Sequence, residues 1–254
     1  MLVHQIHNSY GNYNYNAYIY TNMQYGNHFH KNYELLYVIS GETVVHLNSN
    51  PITLSEGELL LISPYSIHSF TVNDKTRLWV GVFADDYVKS FAKKHSRTQY
   101  TKFKCEAKID DFLKEYLFYQ GTPELNMAKA CFYMVCSECL KKASIINEST
   151  IDFKGKVIEY ISDNLSDEIS MSGAANSLGY EYHYFSSLFH KCFEMNFKEI
   201  VNLFRFEHAA EILLDKSIDI SYLAGECGFK SIRNFNRVFK NLSGKTPTEY
   251  RNTN

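Results

Sequence analysis

Apolar residues change their spacing twice along this chain. Between Tyr33 and Phe83 they come in short runs: ELLYVIS, ETVVHLN, ITLS, ELLLIS, HSFTV and RLWVGVF. Turn residues separate the runs, among them Gly41 and the SNP of 49–51. Short strands at close spacing predict a sandwich or small barrel. From about Asp85 the period becomes helical. Leu125, Ala128, Phe132, Val135, Cys136, Cys139 and Leu140 form one apolar stripe, which either packs inward or, within a helical stretch near 106–142, serves a second copy of the chain. ASIINESTID, 143–152, reads as a linker, and everything after it as helices.

The helical part repeats itself. AANSLGYEYHYFSSLFHK begins at Ala174 and LAGECGFKSIRNFNRVFK at Leu223, with Ala175 and Ala224 in matching places 49 residues apart. Each alanine is followed four residues later by glycine, Gly179 or Gly228, and then by an aromatic ring. Each copy carries one inward stripe: Phe185, Leu188, Phe189 and Cys192, or Phe235, Val238, Phe239 and Leu242. Helix, glycine-containing turn, helix is the helix-turn-helix. TPTE near the end predicts a further helix start, with Thr246 as cap, Pro247 in first position and Glu249 closing a capping box.

Charge sharpens this picture. The 254-residue chain has a net charge of −2, yet 228–251 carries six cations against Glu249 alone. Ser231, Arg233, Asn234, Asn236, Arg237 and Lys240 lie opposite the phenylalanine stripe. An arginine fork can bond guanine edges and a lysine pairs with phosphate. Residues 150–254 as a whole hold 12 Lys and Arg against 14 Asp and Glu. The basic footprint is therefore local, and one subunit should bind DNA modestly.

These residues carry a resemblance. GECGFKSIRNFNRVFKNLSGKTPTEYR is similar to the signature of the AraC/XylS family of bacterial transcription regulators at Gly228, Phe229, Phe235, Phe239, Gly244, Thr246, Pro247, Tyr250 and Arg251. FKEIVNLFRFEHAAEILL resembles that family's connecting helix through Arg205 and Ala209. The resemblance implies two helix-turn-helix units entering successive major grooves. It places base-reading positions at His183, Ser186 and Ser187, and at Ile232, Arg233 and Arg237, with Asn236 and Lys240 beside them. Glu181 stands where the family has a capping serine, and Glu194 where it has glycine, so the first unit is expected to read bases more weakly.

A second constellation lies upstream: His28-x-His30-x3-Glu34-x6-Gly41, then Gly57, Pro64 and His68. It resembles the cupin barrel, in whose metal-dependent members three histidines and a glutamate bind a divalent ion. The cupin pattern has a glycine near Ser66 and an asparagine after the histidine, and this chain has neither in register. An organic effector is therefore expected here, with no metal or other cofactor and no catalysis. Its proposed contacts are His28, His30, Glu34, Tyr37, His68 and Trp79, and a sugar is one class that aromatic faces with polar tips would hold. Tyr33 and Tyr65 belong to the same aromatic set. The Asn/Tyr-rich stretch 8–25 resembles an arm or lid and receives no assigned structure.

The fold class expected is α+β: a cupin-like barrel followed by helices over 1–145, sensing ligand and dimerising, then an all-α DNA-binding domain over 150–254. No apolar run reaches the ~18–20 residues of a membrane span, and no signal peptide is evident. Six unevenly spaced cysteines read as free thiols of a cytoplasmic protein. Cys136-x-x-Cys139 lacks the second pair that a zinc site would need. The function expected is a ligand-responsive regulator, an activator, with promoter DNA, a small-molecule effector, RNA polymerase and a second copy as partners, and no membrane. The rivals are a cupin metalloenzyme with an appended helical domain and an adaptor with degenerate DNA contact.

Overall fold

The computed structural model describes residues 3–4, 15–47, 50–95, 98–119, 123–146, 149–193, 195–213 and 217–253. The chain forms two compact units, Met1–Glu148 and Ser149–Asn254. Glu194, residues 8–14 of the expected arm and 147–148 of the expected linker lie outside the described residues.

The first unit contains β1 (Val3–His4), β2 (Tyr15–Tyr20), β3 (Met23–Phe29), β4 (Tyr33–Ser40), β5 (Glu42–Leu47), β6 (Asn50–Ser55), β7 (Leu59–Ile62), β8 (His68–Val72) and β9 (Arg77–Phe83). They form two sheets, ordered β1-β3-β8-β5-β6 and β2-β9-β4-β7. All six runs expected from the sequence are strands. β2 and the start of β3 come from the stretch 8–25, which received no assigned structure. Tyrosine suits a pleated surface as well as aliphatics do, and β2 pairs with β9 from Tyr15↔Phe83 to Tyr20↔Leu78.

β4 and β9 are the centre of this unit, because both their faces are buried. Tyr33, Leu35 and Tyr37 point outward with Trp79 and Phe83 into one core, while Leu36 and Val38 point inward with Leu78, Val80 and Val82 into another. Strands buried on both sides read as continuous apolar runs, as ELLYVIS and RLWVGVF do. Helices cover the outer face: α1 (Lys89–His95), α2 (Ala107–Leu113), which runs into a π-helical turn at Lys114–Phe118, and α3 (Leu125–Lys142). Phe118 stacks on Tyr37 at 4.0 Å between ring centroids and Phe132 on Phe83 at 3.8 Å. The stripe on α3 is thus core. Only Leu125 and Leu140 of its members are exposed.

The second unit contains α4 (Ser149–Asp163), α5 (Met171–Ser177), α6 (Tyr182–Cys192), α7 (Phe197–Ile212), α8 (Ile220–Glu226), α9 (Ile232–Ser243) and α10 (Pro247–Thr253). α4 begins inside the stretch expected to be linker. The pairs α5–α6 and α8–α9 are the two repeats, and Ala175 and Ala224 are buried at their crossings. α7 joins them by placing Phe197 against Phe189 and Phe206 against Phe239. The capping box before α10 forms: Glu249 N–H donates to Thr246 Oγ1 at 3.3 Å, and Thr246 N–H to Glu249 Oε2 at 2.7 Å.

The two turn glycines do different work. Both hold a left-handed backbone, φ 76° at Gly179 and 75° at Gly228. A Cβ on Gly179 would meet open space, whereas one on Gly228 would lie 2.2 Å from the carbonyl oxygen of Leu165 and 2.7 Å from Arg205 Nη2. Arg205 spends its guanidinium on that same segment, donating to the carbonyls of Leu165 and Asp167. Gly179→Ala should cost about 1–2 kcal/mol, the left-handed penalty for an L-residue. Gly228→Ala should add about 1–3 kcal/mol of overpacking. Thermal unfolding followed by helical circular dichroism should rank them in that order. Equal losses would contradict the packing account.

Candidate functional site

His28, His30, Glu34 and His68 meet at the seam between the two sheets. His28 ends the irregular stretch of β3, where the register with β8 shifts between Tyr25 and His28. A bulge of this kind re-aims a side chain, and His28 then sits directly across from His68. Glu34 faces inward from β4 between Ile62 and Val82. His30 follows β3 in the turn that leads to β4. One ligand atom from each of the four lies within 4.8 Å of the others, and all four residues are 2% exposed or less.

Glu34 holds the group together. His30 Nε2 is 3.0 Å from Glu34 Oε2, and His68 Nε2 is 3.3 Å from Glu34 Oε1. The second contact is close but misaligned, since neither of its atoms has a hydrogen-bond partner. Burial pushes His28 down to about 3, with the neighbouring His68 adding to it. Burial would raise the Glu34 carboxyl, yet His68 and the hydrogen bond from His30 hold it well below the usual range. Burial would lower His68, and the Glu34 carboxylate keeps it above its ordinary value instead. Three imidazoles and a carboxylate at this spacing suit a divalent transition metal or a small polar ligand.

Tyr37 and Trp79 do not join them. They lie three positions from Glu34 on β4 and directly opposite on β9, on the sheet face that packs against α3. Trp79 lays its ring over Gly81, where a Cβ would fall 2.2 Å from it. The glycine absent near Ser66 has a counterpart in Tyr65, whose φ of 59° is the left-handed conformation that glycine favours. Tyr65 N–H donates to the carbonyl of His30 at 2.8 Å, tying the loop before His68 to the turn that carries His30. Because Tyr65→Gly and Tyr65→Ala remove the same ring contacts, comparing the two isolates the backbone. The glycine variant should be the more stable by about 1–2 kcal/mol in thermal unfolding of the full chain, and equal melting would refute the strain.

In the second unit, α9 buries Phe235, Val238 and Phe239 and exposes Ser231, Ile232, Arg233, Asn236, Arg237 and Lys240. Ser231 caps it by accepting from Asn234 N–H. Arg237 Nη2 donates to Asn234 Oδ1 at 2.8 Å, which steadies its guanidinium. On α6, His183 and Ser187 are exposed and Ser186 is half-buried, at the edge of the outward face. Glu181 performs the capping that the sequence assigned to a missing serine, accepting from Tyr184 N–H at 2.9 Å. Those backbone donors hold its carboxyl below the usual range. His190 occupies the place on α6 that Lys240 holds on α9, with Lys191 next to it, and both are exposed. The sequence reading passed over them, although projecting α9 onto the first repeat would have found them.

All six cysteines are free and, apart from Cys105, buried. Cys136 and Cys139 sit in the α3 core. Among the described residues no helix is long and apolar enough to cross a membrane.

Two family models match the chain: an AraC-like ligand binding domain over residues 15–116 and a helix-turn-helix domain over 174–253. The Msm operon regulatory protein of Streptococcus mutans is 21% identical over 237 residues, 87% of this chain and 84% of its own. A helix-turn-helix-type transcriptional regulator of Bacillus subtilis, YtdP, is 32% identical over 95 residues, 37% of this chain but 12% of its own length. Among solved structures, ToxT from Vibrio cholerae is similar with a TM-score of 0.48 and 15% identity, over 93% of this chain and 97% of that one. A ligand-binding unit built on two sheets and followed by two helix-turn-helix repeats, matched in both halves by these models, makes the chain a member of the AraC/XylS family of transcription regulators and not an enzyme.

Proposed function

We propose that this regulator reads promoter DNA chiefly through α9, activates transcription in contact with RNA polymerase, and responds to a small ligand held by His28, His30, Glu34 and His68. The observation that carries the DNA half is the division of α9 itself. One face is phenylalanine core, and the opposite face is Arg233, Asn236, Arg237 and Lys240. α6 contributes His183, Ser187, His190 and Lys191, with Ser186 at the margin, and is the weaker reader because its side chains are shorter or less charged. Activation is the commoner role that the family resemblance implies, and the name of the Streptococcus mutans relative supports an operon as the regulated unit. The cytoplasm is the compartment that fits free thiols and chromosomal DNA.

The same reading includes a homodimer. Since the α3 stripe is core, the surface we assign to it is the exposed set Leu125, Tyr133 and Leu140 on that helix. Sedimentation of the full chain should give a dimer that Leu140→Asp shifts toward monomer. A wild-type monomer at tens of micromolar would remove the dimer from the account.

Base reading and phosphate contact separate experimentally. On a duplex selected by the full-length protein from a random library, Arg237→Ala should cost about 1–3 kcal/mol and relax preference at one or two base pairs. Lys240→Ala should weaken selected and scrambled duplexes alike and reduce the salt slope by about one unit. Neither side chain is in the core, so folding should survive both changes. Equal loss on both duplexes for Arg237→Ala would make α9 an electrostatic anchor only.

A further inference from the structure

Among the described residues, the second unit exposes four large apolar side chains: Tyr182, Tyr184, Tyr222 and Ile232. Single exposed apolar groups are ordinary on a protein surface. Two of these, however, occupy one place in both repeats. Tyr182 opens α6 directly after its cap Glu181, and Ile232 opens α9 directly after its cap Ser231. Each precedes the first core phenylalanine of its helix, Phe185 or Phe235, by three residues. They are 45% and 40% exposed, so core packing does not account for the recurrence.

Their neighbours point to what covers them. Ile232, Asn236 and Lys240 form an i, i+4, i+8 row along α9, and Tyr182, Ser186 and His190 the matching row along α6. Each row runs from an apolar group at the helix start, through a small polar one, to a lysine or histidine. A protein partner seated here would have to cover Arg233, Arg237 and Lys240 as well, whereas DNA phosphates pair with them. Recognition helices present their N-terminal residues to base edges. The Ile232 side chain has no polar atom, so it can neither donate nor accept there. The apolar group that a base offers in the major groove is the 5-methyl of thymine. Any other edge would lose its water against the isoleucine and gain no hydrogen bond. On α6, Tyr182 meets the His183 ring edge-to-face at 5.6 Å, which holds both at the helix start. Tyr184 does not belong with them. It stacks on Tyr180, whose ring meets the buried Phe153, and so covers the core.

We propose that Tyr182 and Ile232 determine sequence specificity by packing on thymine 5-methyl groups, one in each of the two DNA segments that the repeats contact. This rests on the reading of the second unit as the one that binds DNA. It adds Tyr182 to the reading residues and gives α6 a base preference that its two short serines do not supply.

The test starts from a duplex that the full-length protein selects from a random library. Each thymine is then replaced singly by deoxyuridine, which keeps every hydrogen-bonding group and removes only the methyl. At one position in each segment the replacement should weaken binding about fourfold, the transfer free energy of one buried methyl-sized group expressed as a ratio. Ile232→Ala should abolish the effect in the segment read by α9 and keep it in the other, and Tyr182→Ala should do the reverse. Tyr182→Phe should keep both effects, because the ring and not the hydroxyl makes the contact. Tyr222→Ala, at an exposed ring on α8, should alter neither. Circular dichroism checks the fold of each variant, and the uracil scan of the wild-type protein stands even if a variant fails to fold. A selected duplex with no uracil-sensitive thymine overturns the proposal and leaves DNA reading intact. So does an undiminished uracil effect in folded Ile232→Ala and Tyr182→Ala. An effect that only one variant removes overturns thymine reading for the other helix. Failure to select any sequence would instead defeat the reading of this unit as the DNA-binding one, and the inference with it.

Discussion

The sensor unit depends on one strand serving two cores. β4 turns Tyr33, Leu35 and Tyr37 toward the helices and Glu34, Leu36 and Val38 toward the facing sheet. Side chains on a strand alternate strictly, so a slip of one residue would exchange the two sets. It would send a carboxylate into the aromatic stack under α3 and Tyr37 into the seam. The pairing of β4 with both β7 and β9 prevents that slip, and the fit of Phe118 on Tyr37 and Phe132 on Phe83 reinforces it. Placement of Glu34 is therefore a consequence of the hydrophobic pattern and not a separate feature.

The DNA-binding unit solves a comparable problem with helices. Two similar repeats must be held at a fixed spacing, and α7 does this by sending one phenylalanine into each. Arg205 on the same helix fastens the segment after α4, and Gly228 leaves the room for it. The outer faces of α6 and α9 are then free to differ, since the core stripes of Phe185 and Phe189 and of Phe235 and Phe239 lie on the opposite side. The repeats do differ there: His183 against Arg233, Ser187 against Arg237, His190 against Lys240.

The repeat and the strand runs were legible because both are patterns of apolar spacing, which packing obeys directly. The terminal capping box was legible for a similar reason, being local. β2 and β3 were not, because Tyr and Asn carry little aliphatic signal and the partner that makes β2 a strand lies more than sixty residues away. The α3 stripe was visible, but periodicity says that a face is covered and not by what. Grouping Tyr37 and Trp79 with Glu34 overlooked information already in the sequence, since residues three apart on a strand face opposite ways. Nδ1 of His28, His30 and His68 lies within hydrogen-bond distance of the carbonyl oxygens of Gly26, Asn32 and Ser66, and no spacing rule describes the turns that place those carbonyls.

Two repeats held in one compact unit are proposed to read DNA, the second more strongly. Hydroxyl-radical footprinting of the full-length protein on its selected duplex tests this without any substitution. The account requires two protected segments on one face, about one helical turn apart, with deeper protection at the segment read by α9. A single protected segment, or equal protection that Arg233 and Arg237 could not explain, would contradict it.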